Sequence, residues 1–259
     1  MNKWTLYLLS FLVVSDSSSN NSKSLNDNLN IIELSQQLLL AAKMREPTET
    51  AVRLLARMPA AELQQQLSTD DKKKAFWINV YNAYTQVILL ANSEKYKGRN
   101  DFFRSKQVII AGKNLSLDDI EHGLLRRSSI KWSLGYLNKV YSSRFEKLNR
   151  VEQPDYRIHF AINCGAKSCP PIAFYKPDKM DDQLNLAMKA YLKSETNYDP
   201  EKNIVSLPAI MSWFRGDFGG KKAIKELLKK LSIIPANKNP SIRFNKYDWN
   251  LFLENYKHE

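Results

Sequence analysis

The chain has 259 residues, 43% of them hydrophobic and 25% charged, and it carries a formal net charge of +12. This composition is typical of a globular protein long enough to bury a full core, and two cysteines exclude a framework of several disulfides. The excess of basic residues favours anionic neighbours such as phospholipid headgroups or acidic glycans. Because these residues are scattered and are not interleaved with aromatic side chains, we predict no specific nucleic-acid partner. The predicted partner is an envelope substrate or an anionic surface, and the oligomeric state stays open.

The first 28 residues have the features of an export signal followed by a tether. Lys3 precedes an apolar run, Trp4–Val14, that is too short to span a bilayer. Residues 15–28 are rich in Ser, Asn and Asp and show no pattern that could bury a face. The segment resembles a bacterial lipoprotein signal, except that Asp16 occupies the position of the cysteine that would carry the lipid. We therefore predict export to the periplasm or outer envelope of a bacterium, with membrane tethering in a lipidated form, and no transmembrane helix.

The next region, residues 29–97, lacks glycine and is rich in Leu, Ala, Gln, Glu and Lys, which favour helices. We predict a helical lobe at 29–69 and a core domain at 70–259. The main helix should run from Asp70, its expected N-cap, to Ala91, and it should be buried on most sides because apolar residues surround it. The lobe should contain the helices Ile31–Arg45 and Pro47–Met58 and a short helix opened by Pro59.

Three amides, Asn79, Asn82 and Gln86, lie along one stripe of the main helix. An unsatisfied buried amide costs about 1–3 kcal/mol, so each of them needs a partner. Either these side chains hold loop backbone in place, or they line a site and orient a substrate or a catalytic side chain. The second alternative makes Asn79 and Asn82 candidate site residues.

Another helix is predicted to begin at Ser116, because Asp119 three residues later completes a capping-box pattern. Within it, Glu121 falls inside an arc of leucines, where an unpaired carboxylate is costly. It should therefore meet an arginine, a histidine or several N–H donors. His122 and Arg126, one turn apart, share a different side of the helix. Glu121 is either a member of a structural ion pair or the orienting member of a catalytic set.

The two cysteines follow a stretch with the period of a half-buried strand, Arg157–Asn163. Cys164 stands just past the end of that strand, where catalytic groups are often placed, and Ser168 and Cys169 follow in the same loop. His159 lies on the strand itself, and a bulge would be needed to bring its side chain to the face of Cys164. Three possibilities stay open for Cys164: a reactive thiol, a buried thiol that continues the apolar face, or one half of a bridge to Cys169.

The later segments complete an α+β pattern. The remaining predicted elements are the strands Gln107–Ala111, Asn203–Leu207 and Ser241–Phe244, the helices Asp181–Lys193 and Lys221–Leu231, and a helical turn at Ile210–Phe214. We predict an α+β fold in which the N-terminal helical lobe packs on a small mixed sheet that includes residues 157–163. A distant likeness to papain-like or transglutaminase-like hydrolases is expected, although those enzymes place the cysteine at a helix N-terminus. The triplet Arg-Gly-Asp at 215–217 is too short to support a prediction of cell adhesion.

Several long stretches carry a resemblance to a known family. They read FWINVYNAY, SLDDIEHGLLR, RIHFAINCGAKSCPP and VSLPAIMSWFRGDFG, followed by a final YDW. Together they resemble the domain of unknown function 547 family of bacteria and plants, over the chain from about Lys72 to the C-terminus. The last motif departs from the family, since Phe252 stands where an asparagine is expected after the leucine.

The resemblance also points to site residues. The family's His and Cys positions fall on His159 and Cys164, and the Glu and Arg of its second motif fall on Glu121 and Arg126. The resemblance implies no activity by itself, because the family is named for its lack of one.

The main hypothesis is a cysteine-dependent hydrolase or acyl-transfer enzyme that acts on an amide or a peptide. In it, Cys164 attacks a carbonyl after giving its proton to His159 or His122, and Glu121 orients the base. Residues that would bind or orient the substrate are Asn79, Asn82, Arg126 and Ser168. The alternative is a non-catalytic envelope module for binding or scaffolding, with a structural Cys164–Cys169 pair. A second alternative is a zinc or redox-thiol site built from these histidines and cysteines; beyond it, no cofactor and no metal are predicted.

Overall fold

The computed structural model describes residues 30–257. The predicted signal and tether lie outside this range. The helices are α1 (Ile31–Met44), α2 (Glu49–Arg57), α3 (Ala60–Gln66), α4 (Asp70–Ala91), α5 (Arg99–Arg104), α6 (Arg144–Asn149), α7 (Met180–Glu195), α8 (Ile210–Trp213) and α9 (Gly220–Lys230). The strands are β1 (Val108–Ile110), β2 (Lys113–Leu115), β3 (Asn197–Asp199), β4 (Ile204–Leu207) and β5 (Ser241–Phe244). Within residues 30–257, no helix combines the length and apolar character needed to cross a membrane.

Helix α4 is the centre of the helical part, and α1 packs along it. The apolar stripe that α1 buries has helical spacing and consists of Ile31, Leu34, Leu38, Leu39 and Ala42. Helix α4 is buried at every position from 75 to 86, as predicted from the apolar residues on most of its sides. Its N-cap is Thr69, whose hydroxyl accepts the N–H of Lys72 at 3.3 Å. The predicted N-cap, Asp70, is therefore one residue C-terminal to the observed one.

A second core surrounds a three-stranded sheet with the order β3–β4–β5. Strands β3 and β4 are antiparallel and β4 and β5 are parallel, so the sheet is mixed, as predicted. In the parallel pair, Ile204 lies opposite Ser241 and Leu207 opposite Phe244. Val205 and Leu207 are buried and alternate with half-buried neighbours, and they pack against helices α7 and α9. The predicted α+β class is confirmed.

Residues 157–163 do not form the predicted strand. Tyr156–Phe160 is a short 3₁₀ helix that begins where the Asp155 carboxylate accepts the N–H of Arg157 at 3.0 Å. The alternation of side chains is misleading because Ile158–Asn163 is buried at every position, so neither face of the segment is solvated. The mixed sheet consequently lacks this element, and the cysteine loop follows a 3₁₀ helix and not a strand.

The predicted capping box at Ser116 is confirmed. Its N–H donates to Oδ2 of Asp119 at 2.7 Å, and the N–H of Asp119 donates to Oγ of Ser116 at 3.1 Å. The backbone then widens into a π-helix, Asp119–Leu125. The N–H of Arg126 closes it by donating to the carbonyl of Glu121, five residues back, at 2.9 Å. Such wide turns are frequent at functional sites, and they change the angular positions of side chains from those of an α-helix.

Candidate active site

The predicted site residues Glu121, His122, His159 and Cys164 all line one cavity of about 490 Å³. Its walls come from the π-helix, the cysteine loop, the α8 turn and the C-terminal segment. Aromatic side chains form much of the wall: Phe103, Trp213, Phe214, Tyr247 and Trp249. An apolar cavity with a few convergent polar groups is typical of a site for a small ligand.

His159 is held by a carboxylate that the sequence patterns do not mark. Its Nε2 lies 2.7 Å from Oδ2 of Asp217. Nε and Nη2 of Arg126 donate to the two oxygens of the same carboxylate, at 2.6 and 3.1 Å, and this two-pronged contact fixes its orientation. The imidazole of His159 also stacks on Phe214, with ring centroids 3.8 Å apart and planes 10° apart. The ring of His159 is therefore fixed in both position and orientation.

The protonation of this pair follows from burial and charge. Burial opposes charge on Asp217, but the hydrogen bonds from His159 and Arg126 outweigh it and lower the pKa of the carboxyl to about 2. Burial lowers the pKa of His159, and the contact with Asp217 offsets part of this change. Near neutral pH the imidazole is therefore neutral, and Nε2 carries the proton that Asp217 accepts. Nδ1 of His159 holds a free lone pair and is buried without a hydrogen-bond partner among residues 30–257.

Asp217 reaches the site on a loop that depends on glycine. The N–H of Gly216 donates to the carbonyl of Leu134 at 2.7 Å, which joins this loop to a second one. In that second loop Gly135 has a φ of +91°, and a Cβ there would fall onto the carboxylate and backbone of Asp217. The available signal in the sequence was an acidic residue between a glycine and an aromatic residue, inside a motif that carries the family resemblance.

Glu121 is buried, as predicted, with 8% exposure. One of the predicted alternatives, a histidine, is present, and this histidine is His122; in the described chain the carboxylate lies within ion-pair distance of neither His159 nor an arginine. Its oxygens lie 3.5 Å from the hydroxyl of Tyr81 and 3.7 Å from Nδ1 of His122. Burial raises the pKa of Glu121 to about 7, and the charge of Arg126 offsets only part of this rise. Near neutral pH the carboxyl is therefore partly protonated and able to donate a proton.

His122 is committed to a structural contact. Nη1 of Arg126 lies 2.8 Å from its Nδ1, and since a guanidinium only donates, Nδ1 is the acceptor and Nε2 carries the proton. Nε2 lies 3.7 Å from Oδ1 of Asp118. Burial, with the charge of Arg126, lowers the pKa of His122. Of the two predicted bases, His159 is the better placed, because its lone pair is free.

Cys164 and Cys169 meet at the cavity wall and are joined as a disulfide, with Cα atoms 6.3 Å apart. Sγ of Cys169 accepts the N–H of Cys164 at 3.0 Å. The hydroxyl of Tyr247 lies 3.0 Å from Sγ of Cys169 and 3.4 Å from Sγ of Cys164. Cys169 is 4% exposed, whereas Cys164 is half-buried. Of the three possibilities that the sequence left open, the structure contains the bridge.

Asn79 and Asn82 hold backbone and do not line the cavity. Asn79 donates to the carbonyl of Tyr175 and accepts its N–H, both at 3.0 Å. Asn82 donates to the carbonyl of Ala161 at 2.9 Å and accepts the N–H of Asn163 at 2.8 Å. Of the two alternatives that the sequence left open, Asn79 and Asn82 follow the first, since both hold loop backbone, and Asn82 fixes the residues that lead into the cysteine loop.

Ser168 and Arg126 also lie outside the cavity wall. The Ser168 hydroxyl accepts the N–H of Asp248 at 2.9 Å, and Arg126 reaches the site through Asp217. Among residues 30–257, no group of three or more His, Cys, Asp and Glu side chains is arranged to hold a metal ion. We therefore do not carry the zinc alternative further.

The fold and the cavity together define an α+β protein with a histidine–aspartate pair and a cysteine pair on one cavity. Residues 64–192 match the family described as "Protein of unknown function, DUF547", and the chain belongs to this family, as the resemblance of its motifs predicted. Glu121, His159 and Cys164 lie inside the matched range, whereas Asp217 lies beyond it. No curated protein and no solved structure matches the chain, so the expected likeness to papain or transglutaminase has no support.

Proposed function

We propose that the protein is a cysteine-dependent hydrolase or acyl-transfer enzyme that acts on an amide or a peptide. The observation that carries this proposal is the state of His159. Asp217 holds it through Nε2, its Nδ1 keeps a free lone pair, and His159 and Cys164 line the same cavity. A histidine oriented by a carboxylate is the partner that activates nucleophilic cysteines. The proposal concerns the reduced form, in which Cys164 is a thiol.

In this form His159 accepts the proton of Cys164, and the thiolate attacks the carbonyl carbon of the substrate. A carbon–sulfur bond forms while the carbonyl electrons move to oxygen. When they return, the carbon–nitrogen bond breaks and the amine leaves with the proton from the imidazolium. Water, deprotonated by His159, then cleaves the acyl–sulfur bond and restores the thiol. The negative charge of Asp217 stabilises the imidazolium that forms in each half of the reaction.

Glu121 supplies a second titrating group to the same cavity. Because its pKa is raised to about 7, a large fraction of the carboxyl is protonated near neutral pH. Such a group is suited to donate a proton to the oxygen or the leaving nitrogen of the substrate. The aromatic side chains of the wall lower the polarity around these groups, which strengthens their charge interactions.

We also propose that the protein works in the cell envelope of a bacterium. Support comes from the apolar run Trp4–Val14 behind Lys3, and from the bridged cysteine pair, which an oxidising compartment preserves. A peptide or amide of the envelope is the substrate class that fits this location.

The bridge itself favours a second candidate, a non-catalytic module for binding or scaffolding. If Cys164 and Cys169 stay joined, the loop is pinned and no thiol is available for attack. The cavity would then bind a ligand without chemistry.

The two candidates differ in the reactivity of Cys164 after mild reduction. In the enzyme, the folded protein should react with iodoacetamide at Cys164 well below pH 8.5, about the pKa of a free cysteine. His159→Gln keeps a donor for Asp217 but removes the base, so the midpoint of the pH–rate curve should rise by roughly one unit or more. His122→Asn keeps the acceptor for Arg126 and should leave the midpoint in place.

Peptide mapping of the alkylated protein gives the rate at each cysteine. If Cys164 reacts only after unfolding, or if His159→Gln leaves the curve unchanged, the enzyme proposal is wrong and the module stands.

A further inference from the structure

We propose that Cys164 and Cys169 form a redox-active disulfide whose substrate is an external dithiol. Cys164 is the sulfur that is attacked, and Cys169 is the sulfur that leaves as a thiolate. This electron-transferring activity is independent of the acyl chemistry proposed above. It is carried by two asymmetries of the pair, in exposure and in hydrogen bonding.

The first asymmetry is access. A thiolate that attacks a disulfide must reach one sulfur along the direction of the sulfur–sulfur bond, so exchange depends on which sulfur is exposed. Both cysteines line the cavity, but Cys164 is half-buried, whereas Cys169 is 4% exposed and is followed by the buried Pro170. The cavity of about 490 Å³ gives a small thiol the room to reach Cys164.

The second asymmetry is the set of donors around Sγ of Cys169. It accepts the N–H of Cys164 at 3.0 Å and lies 3.0 Å from the hydroxyl of Tyr247. Burial raises the pKa of Tyr247, so the hydroxyl stays protonated and available as a donor. Donors of this kind stabilise a thiolate, and a more stable thiolate is the better leaving group. In contrast, Sγ of Cys164 has only the longer contact with Tyr247, at 3.4 Å.

The exchange proceeds in two balanced steps. One thiolate of the dithiol attacks Sγ of Cys164, and the electron pair of the sulfur–sulfur bond leaves with Sγ of Cys169. The second thiol of the dithiol loses its proton and attacks its own sulfur in this mixed disulfide, and Cys164 leaves as a thiolate. The dithiol loses two electrons and becomes a disulfide, and these two electrons reduce the protein pair to two thiols. The two protons of the dithiol pass to the solvent or to the protein thiolates.

One consequence rests on the proposed function. Reduction frees the sulfur of Cys164 for attack on an acyl group, and oxidation withdraws it. The pair would thus make the proposed enzyme dependent on a supply of reduced dithiol.

The test traps the first exchange product of the full chain in its folded, oxidised form. The protein is treated with 2-mercaptoethanol, quenched with acid, alkylated with N-ethylmaleimide and mapped by mass spectrometry. We expect the mercaptoethanol adduct on Cys164 and the maleimide on Cys169. An adduct on Cys169, or exchange that occurs only after unfolding, overturns the proposal.

A pair of tyrosine variants tests the leaving group. Tyr247→Phe removes one donor to the charged sulfur, so the equilibrium constant for reduction by dithiothreitol should fall about tenfold or more. Tyr84→Phe is the control, because the hydroxyl of Tyr84 is buried without a hydrogen-bond partner among residues 30–257 and does not line the cavity. Equal constants for the parent and Tyr247→Phe overturn the role of Tyr247. The trapping experiment needs no variant, so it still tests whether Cys164 is the attacked sulfur if Tyr247→Phe folds poorly.

A third variant separates this proposal from the proposed function. Cys169→Ser cannot form the bridge and leaves Cys164 as the single thiol. If that variant is acylated at Cys164 while the parent fails to exchange, the proposed function stands and the redox proposal is wrong. If the parent exchanges at Cys164 but the reduced protein is never acylated, the redox proposal stands and the proposed function is wrong.

Discussion

Asp217 joins Arg126 and two histidines of the site into one chain of contacts. It accepts hydrogen bonds from His159 and from the guanidinium of Arg126, which in turn donates to His122. His159 and Arg126 are almost fully buried, so water cannot take the place of the carboxylate as their hydrogen-bond acceptor. The site therefore depends on the single charge of Asp217 for the protonation and the orientation of His159.

Asp217→Asn tests this dependence through stability. The folded pKa of about 2 lies below the ordinary value of 3.8, so folding favours the ionised carboxyl. The resulting stability, on the order of 2 kcal/mol, is present above about pH 4 and is lost as the pH falls towards 2. In urea unfolding, the free energy of unfolding of the parent should show this loss as the pH falls. Asp217→Asn should be less stable than the parent above pH 4, and its stability should depend less on pH. Parallel profiles for the two proteins would show that the carboxylate is not engaged.

Glu121→Gln should have the opposite pH dependence. The pKa of Glu121 rises from 4.5 to about 7 on folding, so the folded state holds the proton more tightly than the unfolded chain. The parent should therefore lose stability as the pH rises from about 4.5 to 7, by on the order of 2–4 kcal/mol. Glu121→Gln carries no charge and should be the more stable protein at pH 8, with the difference gone near pH 4. A variant that is less stable at pH 8 would show that the carboxylate is stabilised by a partner.

At the scale of elements, the position of Asp217 depends on two short loops in contact. The N–H of Gly216 donates to Leu134, and Gly135 leaves no room for a side chain beside Asp217. These loops contain little regular structure, and their geometry depends on the close approach of backbone to backbone.

Gly135→Ala should disturb the site, whereas Gly112→Ala should not. Both glycines have a positive φ, at +91° and +71°, so both substitutions carry a backbone cost of about 1–3 kcal/mol. A Cβ at Gly112 meets nothing within 4 Å, whereas one at Gly135 displaces Asp217. Gly135→Ala should lose more stability in urea and should also slow the alkylation of reduced Cys164. Equal losses in the two variants, with unchanged alkylation, would contradict the proposed role of the loop.

Some of the secondary-structure elements could be predicted from the sequence and others could not. The bounds of Ile31–Met44 and Asp70–Ala91 were predicted within one residue, because long apolar patterns and local caps encode them. Residues 157–163 were predicted wrongly, because a fully buried segment can alternate by chance without a solvated face. The π-helical form of Asp119–Leu125 was missed as well, because a segment of seven residues is too short for its own period to be recognised in the sequence.

At the scale of the whole molecule, the site lies where distant segments meet. Glu121, His159 and Cys164 were predicted, because each is an unusual residue within its own local pattern. The partnership of His159 with Asp217 spans 58 positions, and that of Cys169 with Tyr247 spans 78. No local periodicity encodes such contacts, so they depend on how the loops pack around the two cores. The sequence could therefore give the candidates for the chemistry but not the groups that control their protonation.

In the proposed mechanism, Cys164 forms an acyl-enzyme with His159 as its base. The most direct measurement incubates the reduced, full-length protein with p-nitrophenyl acetate and follows acetylation by intact mass and peptide mapping. We expect an acetyl group on Cys164 that is hydrolysed over time, is lost in His159→Gln and is kept in His122→Asn. Acetylation confined to lysines or to Cys169, or acetylation of Cys164 that is unaffected by His159→Gln, would contradict this mechanism.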